Sequence, residues 1–495
     1  MNNGAFTLTG ASKHVLTGVL LLIVFVVAQP LQADNIFVSQ AANASDDNPG
    51  TSSLPLETIA EGVSRAAPGD SVVVLSGDYR QENSGYGVGV IPVVNRSGAL
   101  GSEIRIVGQD EPRIGSFLIR DSSHIRVTGF RAAGSDFFAQ PNWNLMPTIV
   151  RDVPADQEPP IDYTSDFEDR REAVEAAFAT YFSIIEDLEF SSAFDVLTSS
   201  HITLNHNFIT GYWSGIQCRG ASNIRISANR IVHCVNGIFT FDPAPGLSNS
   251  LIIGNIVSQS LDTGIFIRRG STNVRLLNNS VRFSGINHIS LAEGCTNCRV
   301  TANRVSFGGY YSETMQFPGS SAISLNDCGT GNDVAFNVAL RQVDLTGIDG
   351  NGMILDFMQE DAQATVRWNC SAFNMGSGLN LTASPGSRIH FNMFSNNGFL
   401  STTRRNGAGI KFSREQDIGN RITQNLFYLN SEAGLISTDT LQFQELVEFN
   451  CYVTQFPVPL AWDAYNDGES SYETLEEMQT ETGWELQGKA EVLGK

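Results

Sequence analysis

Lysine is almost missing from this chain. It occurs four times in 495 residues, as Lys13, Lys411, Lys489 and Lys495, so arginine carries nearly all the positive charge. Against 31 basic residues stand 52 acidic ones, a formal net charge of −21. That balance excludes a surface built as a whole to attract nucleic acid or an anionic membrane. Histidine is sparse too. His201, His206, His233, His288 and His390 form no repeated metal-ligand pattern and read as surface or turn residues. Seven cysteines are too few for a disulfide framework at this length. Cys295-x2-Cys298 lacks the second Cys/His pair that zinc requires. Buried thiols are expected, with at most one bridge joining Cys295 or Cys298 to Cys328. Long apolar runs are absent except one, Val15 to Ala28. Lys13 and His14 precede it and no acid occurs before Asp34, so residues 1–33 read as a secretory signal cleaved after Ala28 or Ala33. A membrane anchor is the competing reading, but the run is short for a span of about 20 residues. The mature chain is therefore expected to be secreted or periplasmic, soluble, without a nucleic-acid or membrane partner, and monomeric.

What is present is a repeat. From about residue 200 to 450, a short apolar stretch ends in Asn and is followed by a Gly-apolar-x-apolar run. His201-Ile-Thr-Leu-Asn-His-Asn207 aligns with Asn223-Ile-Arg-Ile-Ser-Ala-Asn229, Cys298-Arg-Val-Thr-Ala-Asn303 and Arg421-Ile-Thr-Gln-Asn425. The column holds ten asparagines: Asn207, Asn229, Asn255, Asn279, Asn303, Asn337, Asn369, Asn392, Asn425 and Asn450. A second column holds Gly215, Gly237, Gly264, Gly352, Gly378, Gly409 and Gly434. Short alternating β-branched runs punctuated by Gly and Asn are strands joined by tight turns. A period in the twenties with several strands per turn makes a stacked solenoid. The fold class is therefore all-β, a right-handed parallel β-helix of roughly 11–13 coils. Asn tolerates a left-handed turn and can bond its neighbour along an asparagine ladder. The expected layout is a signal over 1–33, the β-helix over 34–464 and an acidic C-terminal cap over 465–495. An insert at about 139–180 is Pro- and Asp-rich, then helical. Leu56, Ile59, Val63 and Ala66 have helical spacing and predict a capping helix at the other end.

Ile36-Phe-Val-Ser, Asp47-Asn-Pro-Gly-Thr51, Ala67-Pro-Gly-Asp-Ser-Val-Val-Val74 and Gly77-Asp-Tyr-Arg80 together resemble the first coil of secreted right-handed parallel β-helix proteins. That group includes pectate lyases and β-helix glycosidases. Tyr472-Glu-Thr-Leu-Glu-Glu-Met-Gln479 with Thr482-Gly-Trp484 resembles a closing segment of the same group. The resemblance implies a carbohydrate-active protein and spans nearly the whole mature chain. It names no chemistry. The Gly-His-Gly and Arg-Ile-Lys signatures of polygalacturonases are absent, as are the Asp-Pro-His-Asp of mannuronan epimerases and the Arg-x-Pro-x-x-Arg of the major pectate lyases.

A site on such a fold comes from outward residues of aligned strands. Counting outward slots gives Gln217, Phe239, Phe266, Ser290, Ser324, Ile354, Asn380, Lys411 and Ile436, with Arg268, Asp356 and Thr382 two further on. The next position supplies Arg269, Glu293, Asp327 and Arg414. Ten coils at about 4.8 Å each offer a strip suited to a linear polysaccharide. Long connections after Asn303, Asn337 and Asn392 enter one side of that strip and carry Tyr310, Tyr311, Glu313, Asp344, Asp349, Arg404 and Arg405. Several chemistries compete. Lys411 as base with Arg414 and Arg404 or Arg405 as countercharges suits β-elimination on a uronate. Arg268, Arg269, Asn380, Tyr310 and Tyr311 would contact the chain. Asp327 and Asp356 on neighbouring coils suit a glycoside hydrolase. Asp349, Asp356, Glu360 and Asp361 could ligate Ca²⁺, which would neutralise a uronate. An epimerase and a non-catalytic glycan-binding β-helix complete the set. Residues 201–450 hold 17 acids and 17 bases, so an anionic polysaccharide partner is compatible with the coil body.

Overall fold

The computed structural model describes residues 33–134, 192–241, 245–309, 319–344, 349–398, 406–437, 446–455, 458–463, 470–485 and 487–493. The expected signal, up to residue 32, and the expected insert at about 139–180 lie outside these residues. Each coil gives one short strand to each of three sheets. The first sheet has 14 strands, from Asn35–Val38 to Leu446–Glu448. The second has 13, from Arg113–Ile114 to Lys489–Leu493, and the third has 14, from Val90–Val94 to Ser470–Tyr472. Pairing is parallel throughout the described strands except the last, where Ser470–Tyr472 turns back on Ala461–Asp463 and closes the third sheet. This is the right-handed parallel β-helix expected from the repeat.

Register explains why the repeat is so regular. Leu204, Ile226, Ile252, Leu276 and Val300 stack in one inward file. Each is fully buried, a contribution of roughly 1.5–3 kcal/mol per side chain. A one-residue slip would turn the whole file to solvent. Glycine is needed where the third-sheet strand begins against the second sheet. A Cβ at Gly409 would lie 2.3 Å from a ring carbon of Phe427, and one at Gly378 2.6 Å from Phe394.

The asparagine column lies at the corner between the first and second sheets. The backbone N–H and the side-chain amide of Asn229 both donate to Oδ1 of Asn255, each at 3.0 Å. The same double donation links Asn337 to Asn369 and Asn425 to Asn450. The second amide proton goes to a backbone carbonyl, as from Asn369 to Val334 at 2.9 Å. The left-handed residue is the one before each asparagine, not the asparagine itself: Ala228, Ala302, Phe336, Trp368, Phe391 and Phe449 have φ between 54° and 61°. That placement frees the amide to point inward. At the last coil the acceptor is a carboxylate. Glu485 takes the N–H of Asn450 at 3.0 Å, its amide at 2.6 Å and the Tyr452 hydroxyl at 2.6 Å.

Both ends are covered. Helix α1 (Ile59–Arg65) is capped by Thr58 and buries Leu56, Ile59, Val63 and Ala66 on the first coil. Helix α2 (Leu475–Thr482) opens with a capping box of Thr474 and Glu477 and ends at Gly483 with φ 72°. It buries Met478, and Trp484 beyond it is also buried. The anticipated cysteine bridge does not form, since all seven thiols are free. Cys295 and Cys328 donate to the carbonyls of Ala292 and Leu291 at 3.1 and 3.3 Å, as Ser199 and Ser384 do at comparable corners. They act as buried serine equivalents. Among the described residues no helix is long and apolar enough to cross a membrane.

Asn369→Ala should be strongly destabilising. It leaves the buried Asn337 N–H and amide without an acceptor, a cost of about 2–5 kcal/mol. Urea unfolding followed by circular dichroism should show the lower midpoint. Glu485→Gln, which keeps the shape but offers fewer acceptor sites to three donors, should show a smaller loss.

Candidate active site on the third sheet

The outward file of the third sheet runs in register through Gln217, Phe239, Phe266, Ser290, Ser324, Ile354, Asn380, Lys411 and Ile436. The slot count from the sequence is correct for this file. Lys411 is partly buried, with Nζ 3.0 Å from Oδ1 of Asn406. Burial pushes its pKa down, and the Asp349 and Glu432 carboxylates oppose that shift. Beside it, Asn380 accepts a hydrogen bond from the Ser413 hydroxyl at 2.7 Å.

Asp349 lies two coils before the lysine, across the coil of Asn380. Burial, with the nearby Asp344 and Asp356 carboxylates, raises its pKa to about 7, and Lys411 acts against the rise. The fully buried Asp344 accepts the Asp349 N–H at 2.8 Å, and the Asn351 amide reaches Asp349 at 3.1 Å. The Asn406 amide donates to the Asp349 carbonyl at 3.1 Å. Burial also raises Asp356, while the Asn326 amide at 2.7 Å and the charge of Arg414 hold it down. Asp417 is buried and raised to about 6, and it accepts the N–H groups of Ser384, Ser413 and Arg414. It fixes the turn that carries Arg414, whose side chain is exposed. Lys411, Asp349, Asp356, Asn380 and Arg414 are therefore brought to one region.

Other expected residues stand differently. Asp327 lies beside Asp356, whose carbonyl accepts its N–H at 3.0 Å, but it is not the in-register partner. Asn326 is the in-register partner of Asp356, and Asp327 sits one position later in a left-handed turn with φ 48°, exposed at the corner. Arg268 and Arg269 are both held by Glu293, and Arg268 lies over the rings of Phe239 and Phe266 at 6.0 and 5.2 Å. Glu360 and Asp361 are exposed beyond the strand end. Among the described residues no three His, Cys, Asp or Glu side chains gather closely enough to hold a metal ion. Tyr310, Tyr311, Glu313, Arg404 and Arg405 lie outside the described residues. Asn406 and Glu432 were not singled out from the sequence. The signal was available for Asn406, which like Asp349 lies three residues before its strand glycine.

A family model described as a right-handed beta helix region matches residues 168–305. No curated protein matches the chain. Similar solved structures include a lacto-N-biosidase from Eubacterium ramulus, 12% identical over 93% of this chain and 68% of that one, with TM-score 0.45. A pectate lyase is 12% identical over 84% and 79%, with TM-score 0.41. The A-module of an Azotobacter vinelandii mannuronan C-5 epimerase is 11% identical over 91% and 94%, with TM-score 0.43. These three proteins differ in activity by name, and likeness at this level does not choose among them.

A raised Asp349 pKa has a sign in stability. The unfolded carboxyl ionises near its ordinary value of 3.8 and the folded one at about 7. Between those values the folded state binds more protons, so stability falls as pH rises through that window. Asp349→Asn should therefore raise the melting temperature more at pH 8 than at pH 4.5, through a fraction of the roughly 4 kcal/mol that three pKa units represent. Equal shifts at both pH values would count against the burial of this carboxyl.

Proposed function

We propose that this chain is an exported polysaccharide lyase that cleaves a uronate-containing polysaccharide by β-elimination. The observation that carries the reading is Lys411, the one lysine of the coil body, partly buried on the outward file with its pKa lowered by burial. A neutral amine is a base, and burial favours that form. It would take the proton α to the uronate carboxylate. Arg414 would stabilise the resulting enolate charge. Breaking the bond to the leaving oxygen requires a proton, which Asp349, protonated up to about pH 7, would supply. The product is an unsaturated uronate at the new non-reducing end. A base pushed down and an acid pushed up within one region is the arrangement such chemistry needs.

A glycoside hydrolase is the second reading, favoured by the electrostatic contact of Asp349 with Asp356. In it Asp349, in place of Asp327, would act as general acid, with Asp356 as nucleophile or base.

The purified protein should be incubated with alginate, pectin and other acidic glycans, with and without chelator. The lyase reading expects new ultraviolet absorbance from an unsaturated uronate, and reducing ends without that absorbance select the hydrolase. Lys411→Ala should cost about a hundredfold or more. Lys411→Arg should be equally inactive, because a guanidinium keeps the charge but does not act as a base at neutral pH. Full activity in Lys411→Arg would remove lysine from the base role.

A further inference from the structure

The first sheet carries a second feature, on a different face from Lys411. Ser222-Asn-Ile-Arg225, Thr272-Asn-Val-Arg275 and Thr296-Asn-Cys-Arg299 repeat one motif, and Ser248-Asn-Ser-Leu251 keeps its asparagine. Asn249, Asn273 and Asn297 sit in left-handed turns with φ 50°, 55° and 54° and are exposed. The Asn273 amide donates to Asn249 at 3.2 Å. Two residues after Asn273 and Asn297, Arg275 and Arg299 project outward in register on adjacent coils. With Gly331 these residues line a cavity of about 440 Å³.

Arg126, Arg219, Arg268, Arg269 and Arg367 are each paired with a carboxylate. Arg275 and Arg299 have no such partner among the described residues. The in-register neighbour of Arg299 is Asp333, which gives both oxygens to Arg367 at 3.0 and 2.9 Å. Two like charges directly opposite on neighbouring strands are destabilising. This pair has no ion-pair partner among the described residues and stands beside a row of carboxamides that both donate and accept.

We infer that this groove is an anionic-glycan binding site, separate from the candidate active site, in which Arg275 and Arg299 engage carboxylate or sulfate groups and Asn249, Asn273 and Asn297 engage the adjoining hydroxyls. Guanidinium suits both anions through paired N–H donors. A carboxamide row matches sugar hydroxyls, which also donate and accept. No aromatic ring lines the groove, so bases have nothing to stack on. The inference shares the acidic polysaccharide with the proposed function but does not require Lys411 to be catalytic.

The molecule contains its own control. Arg388 and Arg421 are also exposed and in register, but Gly386 and Gly419 stand where the asparagines would be. Binding should be measured by affinity electrophoresis and titration calorimetry on the full chain carrying Lys411→Ala, so that turnover does not interfere. The probes are polygalacturonate, alginate, dextran sulfate, neutral dextran, polyglutamate and single-stranded DNA. Adding Arg275→Gln with Arg299→Gln should weaken binding of the anionic glycans roughly tenfold or more. Arg388→Gln with Arg421→Gln should leave it within about twofold. Preference for polyuronate or for dextran sulfate tells carboxylate from sulfate. Unchanged binding in the Arg275/Arg299 double variant, equal losses in both pairs, or equally tight binding of polyglutamate or DNA would each overturn the inference. Arginine-dependent binding without lyase activity in the parent chain sinks the proposed function alone. Lysine-dependent lyase activity with arginine-independent binding sinks this inference alone.

Discussion

One amide oxygen accepting two N–H donors from the coil before it holds this molecule in register. A strand of three residues has too few backbone bonds to fix its own position. The corner between the first and second sheets would also bury a backbone N–H with no partner. Asparagine answers both needs, because its oxygen takes that N–H and its own amide repeats the offer to the next coil. The chain of donors runs one way, toward the C-terminus, so it must end on a group that only accepts. Glu485 is that group, and burial keeps its pKa raised despite the donors around it.

The third sheet inherits its order from that corner. Asn380 and Lys411 are adjacent because their coils are in register, and Asp349 and Asn406 face the same region because both precede a strand glycine by three residues. The sheet interior is thus a rigid base for a site whose chemistry is set by burial. Burial pushes Lys411 and Asp349 toward their uncharged forms, and their mutual attraction only partly reverses this. Arg414, by contrast, is placed through its backbone by Asp417 while its guanidinium stays in water.

The coil fold and the outward file were legible in the sequence because equivalent residues of successive coils touch one another. Lys411 and Asn380 could therefore be placed from alignment alone. Corners were less legible. A left-handed turn ends the alternation after one residue, and Asp327, one position after the strand residue Asn326, lies in that turn. The same corner geometry moved the left-handed position from Asn229 to Ala228. Charge pairing was not legible either. Arg268 and Arg269 looked available for substrate, yet Glu293, in the next coil, neutralises both. Nothing in spacing distinguishes those arginines from Arg275 and Arg299, where the one in-register acid, Asp333, is taken by Arg367.

Every asparagine between Asn207 and Asn450 has the same neighbours before and after it, so no coil is individually required for the others to pair. A tandem duplication of one whole coil would add a rung and leave every existing bond intact, while an insertion of part of a coil would break the file. Heritable change in length is therefore tolerated in whole turns, and only α1 and the Glu485 terminus resist relocation. The surface patterns are not interchangeable in this way. Copying the Asn273–Arg275 coil would lengthen the arginine row by one residue, whereas copying the coil of Asn380 would separate Asp349 from Lys411. The backbone is thus indifferent to coil number, and selection on coil number falls on the sites.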